Sequence, residues 1–249
     1  MGFLLSNLRN RFLNHCLVLV HSALPQRCLL CGAASEPDSL CVACDGDLPR
    51  LPPVLCRICA LPITGAEICG ACLDRPPHFD RVSAVFAYRF PSDALVHALK
   101  YGGNLAVARI LGEALGRAVV SEHVDLIVPM PLSAQRLRAR GFNQAHEIAR
   151  AVGRATGIPV AAGICRRVVD TAAQAALPWK ERARNVRGAF ACDADLSGRK
   201  VAVIDDVMTT GATLDELAKN LRRAGAFEVR GWVVARALKQ DQDSALRIT

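Results

Sequence analysis

From residue 79 onward the 249-residue chain alternates short apolar runs with amphipathic stretches, the pattern of strands and helices taken in turn. Val82–Tyr88 reads as a strand. Pro91–Tyr101 and Leu105–Val120 read as helices parted at Gly102-Gly103, and Asp125–Pro129 as a short strand. Gln144–Thr156 reads as a helix closed by Gly157. Val201–Ile204 suits a strand buried on both faces, and Val229–Ala235 supplies another. Between them Leu214, Leu217, Ala218 and Leu221 form the apolar stripe of a further helix, which a Thr213/Glu216 capping box opens, an Asp215/Lys219 pair supports and Gly225 closes. This alternation predicts an α/β fold, a mainly parallel sheet with helices on its faces.

The first 78 residues lack that period. Phe12–Leu24 is apolar behind Arg9 and Arg11, but Asn14, His15 and His21 interrupt it as a secretion signal, and it is too short and too polar to span a bilayer. It predicts an amphipathic helix ending before Pro25, packed on the body, on a partner or against a membrane surface. No other segment approaches a transmembrane helix. Residues 25–78 hold many prolines and few large apolar side chains, too little for a core without staples. The expected organisation is a helix over 1–24, a stapled module over 25–78, the α/β domain over 79–238 and a tail over 239–249.

Cysteines supply the staples. Cys28 and Cys31, Cys41 and Cys44, Cys56 and Cys59, and Cys69 and Cys72 form four Cys-x-x-Cys pairs, and the second half repeats the first at an offset of 28 residues. The duplication predicts two structural four-cysteine Zn²⁺ sites, each closed within its own repeat as a ribbon; interleaved ligation shares the same spacing and stays open. Disulfides suit four tight pairs less well, and a redox Cys-x-x-Cys would occur once, beside a βαβ unit. Eight reduced thiols favour the cytoplasm. Cys16, Cys165 and Cys192 stand apart, and Cys165, beside Arg166 and Arg167, reads as a small buried hydrophobe.

The chemistry concentrates in Val201–Thr213. An apolar run ends in Asp205 and Asp206, and Thr209, Thr210, Gly211, Ala212 and Thr213 lead into a helix. Open α/β sheets bind ligands at strand C-termini. A loop that opens a helix offers converging N–H groups to an anion, and twin acids can hold sugar hydroxyls or Mg²⁺. Together these residues predict a grip on a sugar phosphate. Charge points the same way: residues 1–80 hold six Lys/Arg against seven Asp/Glu, whereas 129–190 hold eleven against three, an excess equal to the whole chain's +8. So concentrated an excess points to a polyanion. Its core, Pro129-Met130-Pro131-Leu132 followed by Arg136, Arg138 and Arg140, follows a strand end, where a second anion loop is expected; Arg suits a diphosphate through its planar fork. On charge alone a solvated basic loop is the competing reading.

Val201–Thr213 resembles, at every position, the signature of type I phosphoribosyltransferases. The resemblance implies that Asp205 and Asp206 lie against the ribose hydroxyls of phosphoribosyl pyrophosphate (PRPP), with its Mg²⁺, and that Thr209–Thr213 take the 5′-phosphate. Pro129–Leu132, the Arg-Gly-Phe-Asn-Gln run 140–144 and Leu99-Lys100-Tyr101 look like the ComF family of competence-associated proteins, which includes GntX-type members and carries an N-terminal double zinc ribbon. That resemblance spans about residues 25–236. By it, Arg136 and Arg140, with Lys100, hold pyrophosphate, and Thr171, Gln174, Arg182 and Asn185 belong to an arginine-rich flexible loop.

What the resemblance implies is a PRPP-binding protein of natural competence that handles incoming single-stranded DNA with a translocation helicase as partner. Two alternatives accompany it: an active phosphoribosyltransferase with an unknown nitrogen acceptor, and a non-catalytic scaffold for the helicase. An amidotransferase is not expected, since its glutaminase half needs an N-terminal cysteine and residue 2 is Gly. Residues 25–78 hold no Phe, Tyr or Trp, so DNA contact is expected on the Arg-rich 136–187 region, with Trp179 the best single stacking residue.

Overall fold

The computed structural model describes residues 27–35, 40–169 and 186–238. The Phe12–Leu24 segment, Cys16, Thr171, Gln174, Trp179, Arg182, Asn185 and the 239–249 tail lie outside the described residues. The chain divides into two compact units, Met1–Asp47 and Leu48–Thr249. The second cysteine repeat therefore shares a unit with the sheet.

The duplication read from the cysteines is a duplication of backbone. In the first unit Cys28 N–H donates to Ala33 O at 2.7 Å and Gly32 N–H to Cys28 O at 3.0 Å; in the second, Cys56 N–H donates to Leu61 O at 2.8 Å and Ala60 N–H to Cys56 O at 2.9 Å. Helix α1 (Val42–Gly46) and helix α2 (Gly70–Asp74) occupy the same place in each repeat. Gly32 turns at φ 73, and its counterpart Ala60 holds the left-handed region at φ 56. That conformation costs a non-glycine residue roughly 1–2 kcal/mol. Ala60 is buried, its methyl part of the core of the larger unit.

The larger unit is built on four parallel strands, β1 (Arg81–Ala87), β2 (Leu126–Pro129), β5 (Lys200–Met208) and β6 (Glu228–Arg236), in the order β1-β6-β5-β2. Each matches a run expected from the sequence, but β5 continues through both acids to Met208. Helices α3 (Ser92–Gly102) and α4 (Leu105–Val119) cross from β1 to β2, and Asn104 caps α4 by accepting from Ala106 N–H at 3.2 Å. Helix α5 (Ala134–Arg140) was not expected; α6 (Gln144–Thr156) has the predicted bounds. Helix α7 (Ala212–Arg223) joins β5 to β6. Strands β3 (Cys165–Arg167) and β4 (Phe190–Cys192) form a separate antiparallel pair that the sequence reading also lacked. The one cis peptide among the described residues is Phe90–Pro91, so Met130–Pro131 is trans.

Helices cover both faces of the sheet, as neighbouring residues of β6 show. Gly231 lies under Leu214 of α7, while Trp232 points the other way and donates from Nε1 to Glu122 Oε2, just past α4, at 3.0 Å. The predicted capping box is not there. Gly211, at φ 84, caps α7, so Thr213 is already inside the first turn and Glu216 is too far along to fold back on it. Glu216 instead accepts from Gly188 N–H at 2.9 Å, and Asp215 from His78 Nδ1 at 2.9 Å.

Packing between α4 and α6 depends on small residues. A Cβ at Gly112 would lie 2.5 Å from Ala151 Cβ and 2.9 Å from Ile148 O. Gly112→Ala is expected to destabilise the larger unit by about 1–3 kcal/mol through overpacking. Gly102→Ala, which meets open space, should change stability little. Urea unfolding of both variants checks this; equal midpoints would contradict the close approach.

Candidate functional site

The register of the sheet creates the site. Strand β2 ends where Pro129 pairs Ile204, and Met130 N–H closes that edge on Ile204 O at 2.8 Å. β5 runs on, pairing Val207 with Ala235 and Met208 with Arg236 of β6 alone. Asp205 and Asp206 thus sit where β5 has a neighbour on one side only, at the C-terminal edge of the sheet. Asp206 is buried and faces Lys100 of α3, whose Nζ lies 2.6 Å from Oδ2. That contact compensates the carboxylate's charge inside the protein. Burial, with the neighbouring Asp206 charge, holds Asp205 well above the usual carboxylate range, against the pull of Lys100. Burial works against the Lys100 ammonium, but Asp206 and Asp205 outweigh it and raise its pKa.

The phosphate-type loop follows at once. Thr210 Oγ1 accepts from Ala212 N–H at 3.1 Å, folding the chain over Gly211 into α7. The first N–H groups of a helix have no intrahelical partner and carry the positive end of its dipole. Thr209 to Thr213 therefore carry the chain from the end of β5 into a helix N-terminus shortly after the acid pair.

The Arg-rich stretch is a helix and not the expected loop. Ser133 caps α5 by accepting from Arg136 N–H at 3.3 Å, and Gly141, at φ 81, ends it. Arg136 and Arg140, four apart, share a helix face, and Arg138 is exposed on another. The Arg140 guanidinium lies 5.6 Å from the centre of the Tyr101 ring and also bonds Gln144. Asn143 caps α6 and donates from Nδ2 to Met130 O at 3.0 Å. The structure thus gathers Lys100, Tyr101, Arg140, Asp205 and Asp206 at one edge of the sheet. Beside it lies a cleft of about 380 Å³ lined by Pro131, Leu137, Asn143, His146, Cys165 and Arg167.

Sequence reasoning missed Arg236. This buried side chain donates from Nε to Cys59 O at 2.8 Å and from Nη1 to Met208 O and Ala237 O, each at 2.9 Å, and to Thr209 O. Burial lowers its pKa, against the charges of Cys59, Cys72 and Cys69. The only signal in the chain was a cation closing the apolar run Trp232–Ala235.

Each cysteine quartet closes within its own repeat. The four Sγ atoms of Cys28, Cys31, Cys41 and Cys44, and those of Cys56, Cys59, Cys69 and Cys72, lie within 4.8 Å of one another. This rules out interleaved ligation. Tetrahedral Zn–S bonds of about 2.3 Å place sulfurs about 3.8 Å apart; Cys31–Cys41 and Cys59–Cys69 Sγ separations are 3.7 and 3.6 Å. Four-thiol sets of this geometry fit structural zinc. Burial pushes Cys59 up to about 11, whereas Cys56, despite burial, is held down to about 7 by backbone N–H donors. Packed this closely, the thiols resist joint ionisation unless a cation compensates them.

A small double ribbon joined to a parallel α/β sheet with an acid pair and a helix-N-terminal loop defines the class. Comparison with known proteins agrees. The double zinc ribbon domain model matches residues 19–73. DNA utilization protein YhgH of Escherichia coli K12 is 34% identical over 197 residues, 76% of this chain and 87% of that protein. Competence protein F of Haemophilus influenzae is 31% identical over 224 residues, 85% of this chain and 97% of that protein. The chain belongs to this family, the ComF family of competence and DNA-utilization proteins. Among solved structures, the glutamine PRPP amidotransferase of Bacillus subtilis matches 51% of this chain and 26% of its own at 23% identity, with a TM-score of 0.35. No helix among the described residues is long and apolar enough to cross a membrane.

Because only the second repeat shares a unit with the sheet, the two zinc sites should differ in consequence. Cys72→Ser is expected to lower the melting temperature of the larger unit by roughly 5–10 °C, at about 2–4 °C per kcal/mol for a unit of this size. Cys44→Ser should leave that transition in place. Each variant should lose one of two bound zinc ions. Calorimetric scanning with colorimetric zinc counting measures both, and equal effects on the main transition would contradict the division.

Proposed function

We propose that this protein binds PRPP with Mg²⁺ at the C-terminal edge of β5 and acts in natural competence, in the handling of incoming single-stranded DNA. The observation that carries the reading is the run of Asp205 and Asp206 past the end of β2, directly before the Thr209–Thr213 turn into α7. The carboxylates face the ribose hydroxyls, and the loop amides with the Thr209, Thr210 and Thr213 hydroxyls take the 5′-phosphate. Arg136 and Arg140 of α5, with Lys100, attract the diphosphate. A donor set of carboxylate and hydroxyl oxygens suits Mg²⁺, which when bound neutralises diphosphate charge.

The names of the relatives, DNA utilization and competence, bring the DNA half of this reading. Exposed Tyr101 beneath Arg140, together with Arg138, offers a ring face and cations to single strands. The double ribbon serves a protein partner such as a translocation helicase, on the cytoplasmic side of the membrane. A second reading, transfer of the phosphoribosyl group to a nitrogen acceptor, is favoured by the cleft at the end of β2, where Asn143, His146 and Arg167 supply polar groups. Pyrophosphate would leave ribose C1 as the nitrogen attacks, aided by positioning and charge neutralisation.

Titration calorimetry of Mg²⁺ and PRPP tests the reading. Asp205→Asn is the cleaner variant, because Asp206 also compensates Lys100. It should weaken binding about 10- to 100-fold, the loss of one charge-assisted contact. Since the Asp205 pKa is raised, affinity should rise with pH as its carboxyl ionises. Folded, zinc-loaded wild type that binds no PRPP would contradict the proposal and leave the scaffold reading.

A further inference from the structure

Cys165 and Cys192, expected to stand alone, are cross-strand partners. β3 and β4 are antiparallel, with Cys165 opposite Cys192, Arg166 opposite Ala191 and Arg167 opposite Phe190. Asp193 N–H donates to Ile164 O at 3.1 Å and Val168 N–H to Ala189 O at 2.8 Å. Hydrogen-bonded and non-hydrogen-bonded pairs alternate along an antiparallel ladder. The bonds at 164/193 and 168/189 therefore make 165/192 a non-hydrogen-bonded pair. In such pairs the Cα atoms approach to about 4.5 Å and the side chains lie closest. That separation falls inside the range of about 4.4–6.8 Å that a disulfide spans without backbone movement.

The two thiols differ in setting. Cys165 is buried, and burial together with the Cys192 side chain raises its pKa, so it is held as a thiol. Cys192 is partly exposed. Both are free thiols, and neither belongs to a zinc quartet.

We propose that Cys165 and Cys192 form a peroxide-reactive cysteine pair, closed to a disulfide by a hydroperoxide. The Cys192 sulfur, giving up its thiol proton, attacks the hydroxyl-bearing oxygen of the hydroperoxide and breaks the O–O bond. A sulfenic acid forms on Cys192, and the released alkoxide takes up that thiol proton and departs as the alcohol (water, for hydrogen peroxide). The Cys165 sulfur then attacks the Cys192 sulfur; the S–O bond breaks, the thiol proton leaves with the hydroxyl as water, and the S–S bond closes. Two thiols lose two electrons and the peroxide gains them. A dithiol reverses the change by exchange. The bond staples β3 to β4 at the wall of the cleft that Cys165 lines.

The test uses the full-length, zinc-loaded protein and hydrogen peroxide at stoichiometric concentration, followed by blocking of free thiols and non-reducing peptide mapping. The expected product is a single peptide pair joined through Cys165 and Cys192, both zinc ions retained, and full reversal by dithiothreitol. In Cys165→Ser, Cys192 should persist as a sulfenic acid that dimedone captures; in Cys192→Ser, Cys165 should remain an unreacted thiol. Oxidation confined to the eight zinc-ligand cysteines, with zinc release and no 165–192 peptide, would overturn the proposal. So would dimedone capture at Cys165 instead of Cys192.

Discussion

The guanidinium of Arg236 holds three parts of the molecule in one place. It carries a charge into the core, where no carboxylate among the described residues meets it, and spreads its donors over the carbonyls of Cys59, Met208, Thr209 and Ala237. Carbonyls such as those of Cys59 and Thr209, left unpaired in the interior, would each cost about 1–3 kcal/mol. The ribbon knuckle, the end of β5 and the end of β6 are therefore fixed together. The sulfurs of the second quartet lie next to it and oppose the fall that burial imposes on its pKa. This accounts for a short metal-stapled repeat sharing a unit with an α/β sheet: the start of the phosphate-type loop and the metal knuckle bind the same side chain.

On that anchored edge, strand length does the rest. β5 outlasts β2, so two adjacent acids emerge where the sheet is open on one side, and Lys100 from α3 enters to meet Asp206. The helix that follows turns its N-terminus to the same edge. Negative groups and a positive helix end in close sequence suit a ligand that presents hydroxyls and phosphate together. The Arg face of α5 reaches this edge through the Tyr101 ring.

Much of this was legible beforehand where one local signal dominates. The β-branched runs marked all four sheet strands, Gly157 closed α6, and the repeated cysteine pairs pointed to two quartets, with the sulfur positions then excluding the interleaved arrangement. The rest depends on partners distant in sequence. Strand β3, Cys-Arg-Arg, has no apolar pattern of its own, and its pairing with β4 alone brings Cys165 to Cys192. Helix α5 has a single large apolar residue, Leu137, itself exposed, so its charges read as a loop. At α7, two start signals overlap; Gly211 takes the cap because the chain must turn tightly out of β5, leaving Glu216 for Gly188. The expected strand stopped at Ala235, one residue short of Arg236, because nothing in that neighbourhood of sequence announces Cys59.

The central claim is that the turn from β5 into α7 grips a ribose phosphate. Backbone amide hydrogen exchange of the zinc-loaded protein, with and without saturating Mg²⁺ and PRPP, tests it most directly. The account predicts slowed exchange concentrated at residues 209–214, with a smaller effect near Lys100. Unchanged exchange over 209–214, or protection found only elsewhere in the chain, would contradict it.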